Sequence, residues 1–184
     1  MTRPDIRFFL PGPTYVLPEV REAMVADVVG HRSPGFKSLY QSMAPRLQSV
    51  FRTSGDVFIA TGSATLVMES AIVSTVESRV LNLVCGAFSE RWHQICLSLG
   101  KQADRVEVPW GQAVDPDLAR EALRRQRYEA VTLVHNETST GVINPLETIA
   151  KVVREESEAL LLVDTVSSMA GAPIETEEWG LDVV

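Results

Sequence analysis

Several features are scarce in this 184-residue sequence, and each scarcity argues against a class of protein. Only two cysteines occur, Cys85 and Cys96, and they form neither a disulfide framework nor a set with metal-ligand spacing. No apolar run approaches the roughly 20 residues of a membrane-spanning helix, and residues 1–10 carry too much charge for a secretory signal. The net charge of −7 argues against a general nucleic-acid-binding protein, which usually has a basic face. We therefore expect neither a membrane nor a nucleic acid as a partner.

The composition is that of a globular protein, with 45% hydrophobic and 22% charged residues. We expect the two cysteines to be buried free thiols in a reducing compartment, and the protein to be cytoplasmic. We predict an N-terminal arm with a short helix over residues 1–30 and one larger domain over residues 31–184. Because residues 182–184 have the pattern of a strand that is just beginning, we expect the chain to be a fragment.

Two helices are predicted in the first part of the chain. Pro18 opens a short amphipathic helix. Ser33, as N-cap, and Pro34, at the first helical position, open a longer one that extends to about Arg52. Pro45 is expected to bend or divide this longer helix.

After Gly55 the pattern changes to strands that alternate with helices. The predicted strands cover residues 57–60, 79–84, 105–108, 130–134 and 160–163. The predicted helices cover residues 63–76 and 88–99, and two more begin at Pro116 and after Asn144, the latter as an N-cap. The first of these helices is apolar on nearly all sides and is expected to be buried. The alternation predicts an α/β fold with a mostly parallel, doubly wound sheet.

The apolar run 160–163 is typical of a central parallel strand that is buried on both faces, and it ends at a carboxylate, Asp164. In open α/β sheets, ligands bind beyond the carboxyl ends of the strands. A carboxylate at such a position needs a charged or hydrogen-bonded partner. One interpretation is that Asp164 caps the next turn or pairs with a neighbouring arginine. The alternative is that it faces the protonated ring nitrogen of a ligand.

Three further segments follow predicted strands and reach the same edge of the sheet. Residues 61–65 combine a glycine with small hydroxyl residues at a helix start, which makes an anion site or an ordinary capped turn. Phe88 could stack on a flat ligand or belong to the core. Residues 135–141 are nearly all polar and form either a ligand-binding loop or a solvent-facing one.

Together, these segments match the parts of one ligand. An anion site, an aromatic face, a hydroxyl-rich loop and a carboxylate suit a phosphate, a flat ring, a phenolic oxygen and a basic ring nitrogen. Pyridoxal phosphate has these parts, and its chemistry needs a carboxylate that keeps the pyridine nitrogen protonated.

The chain resembles the N-terminal half of class V aminotransferases, which are fold type I pyridoxal-phosphate enzymes, and within them the alanine–glyoxylate and serine–glyoxylate aminotransferases. The resemblance extends over essentially the whole sequence, and the segments that carry it are 9–14, 30–34, 61–65 with Glu69, 86–88, 135–141 and 163–168. It implies the large domain of this fold, truncated at its C-terminal end, with pyridoxal 5'-phosphate as cofactor.

The resemblance also implies roles for individual residues. The residues that would hold the cofactor phosphate are Ser63, Ala64 and Thr65, with Ala64 at a position where glycine is common. Phe88 would stack on one face of the pyridine ring and Val166 would pack on the other. Thr138 would bind the phenolic oxygen, and Asp164 would pair with the ring nitrogen. Gly12 would border the substrate pocket.

One essential group of the family is missing from this sequence. The Schiff-base lysine is expected a few residues beyond Val184, and the lysines present, Lys37, Lys101 and Lys151, match no such position. The chain alone is therefore expected to be inactive. The family is dimeric, so we expect a homodimer in which the arm and the region of His31 meet the second subunit.

The sequence thus predicts an aminotransferase that, at full length, transfers an amino group from alanine or serine to a 2-oxo acid such as glyoxylate. The alternatives within the superfamily are an aminoethylphosphonate transaminase, a cysteine desulfurase and a lyase. Outside it, the alternatives are a non-catalytic α/β module that binds a phosphate-bearing ligand and a fragment with no function of its own.

Overall fold

The computed structural model describes residues 8–184, which divide into a unit that ends at Arg46 and a second unit, Leu47–Val184. In the first unit, helix α1 spans Pro18–Ala23, and helix α2, Pro34–Phe51, contains the division. The Ser33 hydroxyl accepts a hydrogen bond from the Phe36 N–H at 3.2 Å, which confirms the predicted N-cap. Helix α2 continues through Pro45 as one element.

The second unit contains a four-stranded parallel sheet with the strand order β2-β1-β3-β6. Its strands are β1, Arg79–Val84; β2, Gln102–Glu107; β3, Ala130–Val134; and β6, Leu160–Asp164. A short antiparallel hairpin joins β4, Asn136–Glu137, to β5, Val142–Ile143. The helices are α3, Ala64–Thr75; α4, Ala87–Ser98; α5, Pro116–Arg125; and α6, Leu146–Glu156. A parallel bridge between Leu162 and Val183 adds a further pairing beside β6.

Helices cover both faces of the sheet, as the doubly wound pattern predicted. Successive strand residues point to opposite faces, so β6 contributes to two apolar clusters. Leu161 packs in a cluster with Leu123 of α5 and Ile149 of α6. Leu162 packs in the other cluster with Ile72 of α3 and Trp92 of α4.

Two predictions about apolar segments are wrong. Residues 57–60 form no strand, and Phe58 is 86% exposed, because no strand of the described residues pairs with this segment. Helix α3 is not buried on all sides: Met68 and Ile72 are buried, whereas Val67 and Val73 are more than half exposed. Burial on every side requires packed neighbours on every side, and within residues 8–184 α3 packs on one side only.

The prediction that Asn144 caps α6 is also wrong. The helix begins at Leu146, and the buried Asn144 side chain is used elsewhere. Its Oδ1 accepts from the Val114 N–H and its Nδ2 donates to the Val134 carbonyl, both at 2.8 Å. Asn144 therefore fastens the loop before α5 to the end of β3.

Strand β2 begins three residues earlier than predicted, at Gln102 rather than Arg105. The additional residues, Gln102 to Asp104, include two polar side chains. Strand β2 lies at the edge of the sheet, where one side of the strand has no partner and polar residues are tolerated. An apolar run is therefore a poor guide to its length.

Candidate functional site

The candidate site lies where β1, β3 and β6 end. These strands are adjacent and parallel, and the pairing of Val134 with Asp164 brings the ends of β3 and β6 level with each other. The segments after these strands carry Phe88, Thr138 and Asp164, so the predicted convergence on one edge is present in the structure.

Asp164 is a half-buried carboxylate with one hydrogen-bond partner in the described chain. Its Oδ1 accepts from the Val166 N–H at 2.9 Å, so it does cap the following turn. No ion pair of residues 8–184 includes it. Burial raises the pKa of the Asp164 carboxyl above 3.8, and the negative charge of Glu137 adds to this rise, while the Val166 N–H and the Arg91 charge oppose it. A cation placed beside this carboxylate would remove the cost of its burial.

The start of α3 presents backbone donors without acceptors in the described part of the chain. Ser63 is the N-cap residue, but its side chain makes no capping hydrogen bond. The first N–H group with a backbone partner there is that of Leu66, which bonds to the Ser63 carbonyl at 2.9 Å. The N–H groups of Ala64 and Thr65 are therefore free to bind an anion.

Arg91 adds a positive charge beside this helix start. Its Nη1 lies 3.4 Å from the Thr65 hydroxyl oxygen, and its Cζ lies 5.1 Å from the centre of the Phe88 ring. The guanidinium therefore lies over the predicted stacking residue and next to the predicted phosphate site. Arg91 was not among the predicted site residues, although its position one helical turn after Phe88 is a usable signal.

Thr138 lies in the hairpin that follows β3. Its hydroxyl is 2.5 Å from the hydroxyl of Ser167, which follows the Asp164 turn. Val166, in the same turn, is 71% exposed and so free to pack on a ligand. The structure thus brings Thr138 and Val166 to neighbouring positions.

Glu137 is the main residue that the sequence analysis missed. It is fully buried, and five donor groups on three residues lie within hydrogen-bonding distance of its carboxylate. Burial raises the pKa of Glu137, but the hydrogen bonds from Ser139, Ser89 and Phe88 outweigh it, so the pKa lies below its ordinary value. The carboxylate is therefore ionised and fully occupied by the protein itself.

His135 is buried and neutral in this arrangement. Its Nδ1 lies 3.0 Å from the Ser168 hydroxyl, and burial lowers its pKa. It contacts the loop after Asp164 through Ser168 and has no ion-pair partner in the described residues.

A cavity of about 240 Å³ opens beside these groups. Ala64, Asp164 and Val166 line it together with mainly apolar side chains, among them Met68 and Trp92. Asp164 supplies the only carboxylate among the side chains that line it. Gly12 lies in an exposed bend of the other unit, so its predicted role at the substrate pocket stays a prediction.

A family model described as aminotransferase class-V matches residues 57–184. The chain belongs to this family. An uncharacterized aminotransferase of Methanocaldococcus jannaschii is 40% identical to this class-V chain over 177 residues, which are 95% of this chain and 46% of that protein. The serine–glyoxylate aminotransferase of Methylorubrum extorquens is 35% identical over 181 residues, which are 95% of this chain and 45% of that protein.

Among solved structures, the alanine–glyoxylate aminotransferase from Nostoc sp. matches the class-V chain with a TM-score of 0.89 and 34% identity. The match covers 99% of this chain and 50% of that one. The chain thus spans about half the length of the curated relatives it matches. No helix of residues 8–184 is long and apolar enough to cross a membrane.

Membership of the class-V family implies pyridoxal phosphate as cofactor, and the residues present fit it. Asp164 has no ion-pair partner in the described chain, so its carboxylate can pair with a pyridinium nitrogen, whose charge would offset the burial that raises the Asp164 pKa. The open start of α3, next to Arg91, suits a phosphate. Phe88 and Val166 offer apolar faces at the same edge.

Proposed function

We propose that the full-length protein is a pyridoxal-phosphate-dependent aminotransferase that transfers an amino group from alanine or serine to a 2-oxo acid such as glyoxylate. The observation that carries the proposal is the state of Asp164. A half-buried carboxylate with a raised pKa and a single backbone donor costs stability, and a cationic ring nitrogen compensates for that cost.

Each of the chain's own residues would have a defined task. When bound, pyridoxal phosphate supplies a ring that accepts electrons from the substrate's Cα. The Asp164 carboxylate holds a proton on the ring nitrogen. The N–H groups of Ala64 and Thr65, with the Ser63 hydroxyl, bind the phosphate, and Thr138 donates to the phenolic oxygen.

Phe88 and Val166 would hold the ring between them and exclude water from its faces. Gly12 would border the substrate pocket without occupying it. The lysine that carries the cofactor is expected C-terminal to Val184. A homodimer and a cytoplasmic location complete the proposal.

The choice of alanine or serine rests on similarity. The relatives include proteins named as serine–glyoxylate and alanine–glyoxylate aminotransferases, at 35% and 32% identity. A further relative is named as an aspartate–glyoxylate aminotransferase, at 33%. All three names include glyoxylate, whereas the amino acid differs among them. The names therefore support glyoxylate as the acceptor more strongly than they support any one amino acid as the donor.

The cysteines of this chain do not favour a desulfurase. Cys85 and Cys96 are both buried, and burial raises the pKa of both thiols, to about 11 for Cys96. Neither is a ready nucleophile at neutral pH. A lyase or an aminoethylphosphonate transaminase would use the same cofactor contacts and must be separated by assay.

The test is the intact mass of the full-length protein after incubation with pyridoxal phosphate and reduction with borohydride. A single phosphopyridoxyl adduct on a lysine after Val184 is expected, and its absence would overturn the cofactor assignment. Transfer to glyoxylate is then measured with alanine, serine and aspartate as donors. A rate with aspartate above those with alanine and serine would overturn the substrate assignment.

A further inference from the structure

Glu137 connects two elements that carry predicted ligand contacts. On one side, its Oε1 accepts from the Phe88 N–H at 3.2 Å and its Oε2 accepts from the Ser89 N–H at 2.9 Å. On the other side, Oε1 accepts from the Ser139 hydroxyl at 2.7 Å. Ser139 in turn accepts from the Ala87 N–H at 3.0 Å. One hydrogen-bonded network therefore joins the first turn of α4 to the β4–β5 hairpin.

The absence of a side chain at Gly86 makes room for this network. A Cβ at position 86 would lie 2.4 Å from Glu137 Cγ and 2.7 Å from the Ser139 hydroxyl oxygen. Gly86 has an extended φ of 172°, so the reason for glycine here is space and not backbone conformation. The close approach is needed to seat the carboxylate against the start of α4.

This network holds the backbone at two residues. Phe88 donates its N–H to Glu137, and Thr138 lies between Glu137 and Ser139. The backbone at neither residue can shift by much without breaking a hydrogen bond to a fully buried carboxylate, which is costly. Glu137 itself is fully buried and does not line the cavity beside Asp164.

The negative charge of Glu137 also distinguishes two helix starts at this edge of the sheet. At α4 the N–H groups of Phe88 and Ser89 are occupied by Glu137. At α3 the N–H groups of the first two helical residues, Ala64 and Thr65, have no acceptor in the described residues. An anionic ligand is therefore directed to α3 and away from α4.

We infer that Glu137 is a positioning residue, which holds the Phe88 ring and the Thr138 hydroxyl in place for the cofactor ring while leaving the phosphate to the start of α3. This inference rests on the proposed function. It assigns to Glu137 an effect on ring contacts that is separate from phosphate binding.

The test compares two compounds, pyridoxal phosphate and pyridoxal, which share the ring and differ in the phosphate. Their dissociation constants are measured on the full-length protein from the absorbance and visible circular dichroism of the bound compound. Glu137→Gln keeps the size of the side chain and removes its charge. It is expected to raise both constants by the same factor, about tenfold, and to weaken the dichroism of the bound ring.

Two matched variants give the reference. Ser63→Ala removes the hydroxyl assigned to the phosphate, which makes no capping hydrogen bond, and is expected to raise the constant for pyridoxal phosphate alone. Thr132→Val is also shape-preserving and breaks a buried hydrogen bond, from the Thr132 hydroxyl to Asn82 Oδ1 at 2.9 Å. It is expected to lower the melting temperature and leave both constants unchanged, which separates positioning from general destabilisation.

Several results would overturn the inference. Unchanged constants and unchanged dichroism in Glu137→Gln would do so, and so would a loss confined to pyridoxal phosphate. If Glu137→Gln does not fold, the exposed Ser139→Ala decides: it is expected to raise both constants about threefold, and no change would refute the role. A wild-type protein that binds neither compound would instead refute the proposed function.

Discussion

Two carboxylates at the same edge of the sheet have opposite environments. Glu137 is completely buried, yet its pKa is lowered, because five donor groups surround it. Asp164 is more exposed, yet burial raises its pKa, because the single backbone donor that the protein gives it does not offset the loss of solvent. The degree of burial alone therefore does not decide the charge state of a carboxyl group, since the number of donors outweighs it.

The difference separates a structural role from a role in binding. A carboxylate whose oxygens are all used by the protein stabilises the fold and has little left for a ligand. A carboxylate that the fold leaves short of partners costs stability and gains a partner only when a ligand arrives. Substitutions at either carboxylate, or at Gly86, can remove or reverse one side of this contrast.

The largest effect is expected from Asp164→Asn in the full-length protein. The amide keeps the shape and cannot stabilise a protonated ring nitrogen, so turnover should fall on the order of a hundredfold or more. Steady-state transamination with glyoxylate measures it. Asp56→Asn, at an exposed position, is the control and should leave turnover unchanged. Equal turnover in Asp164→Asn and the wild type would defeat the role of Asp164.

Glu137→Ala should be the most destabilising of these changes. It leaves the N–H groups of Phe88 and Ser89 without their acceptor, and the free energy of unfolding should fall by about 3 kcal/mol. Urea denaturation of the cofactor-free protein measures it. The exposed Glu178→Ala is the control, with an expected change within about 0.5 kcal/mol. A loss no greater than the control's would mean that Glu137 is not the centre of this network.

Gly86→Ala tests the same network by adding a side chain that overlaps it. Its Cβ would overlap Glu137 Cγ at 2.4 Å, which must displace the carboxylate and should cost about 2 kcal/mol of unfolding free energy. Gly30→Ala, where nothing lies within 4 Å of the added Cβ, is the control for an added methyl group without overlap. If Gly86→Ala costs no more than Gly30→Ala, the close approach at Gly86 has no energetic weight.

The smallest effect is expected from Asp164→Asn in the cofactor-free protein. It is a gain in the free energy of unfolding, and the pH dependence of this gain has a defined sign. Unfolded Asp164 titrates near 3.8 and folded Asp164 at a higher pH. Between these values only the folded state holds the proton, so its contribution to stability falls as pH rises. Asp164→Asn removes this titration. At pH values above the pKa of folded Asp164, its free energy of unfolding should exceed that of the wild type by about 1 kcal/mol.

Glu137 should show the opposite dependence, because its folded pKa lies below 4.5. Its contribution is present above the unfolded pKa and is lost as pH falls through the folded pKa. Urea unfolding of the cofactor-free variants Asp164→Asn and Glu137→Gln, from about pH 3 to about pH 7, measures both differences. Differences of the same sign in the two variants would contradict the contrast.

The parts of the site that follow strands could be predicted from the sequence. The apolar run before Asp164 fixed the end of β6, and the alternation of strands and helices placed Phe88 and Thr138 at the same edge. The role of Glu137 could not be predicted, because it depends on donors from α4, which lies 48 residues away along the chain at Ser89. The strand predicted at residues 57–60 failed for a related reason, since a strand requires a partner that its own sequence does not encode.

Gly86 and Glu137 also constrain how this protein can change over generations. The dependence runs one way: Glu137 requires glycine at position 86, and a larger residue at position 86 requires a shorter one at position 137. A lineage that alters position 86 first passes through a crowded intermediate, whereas one that shortens position 137 first does not. Among descendants, a side chain at position 86 should therefore be found only together with a shorter residue at position 137.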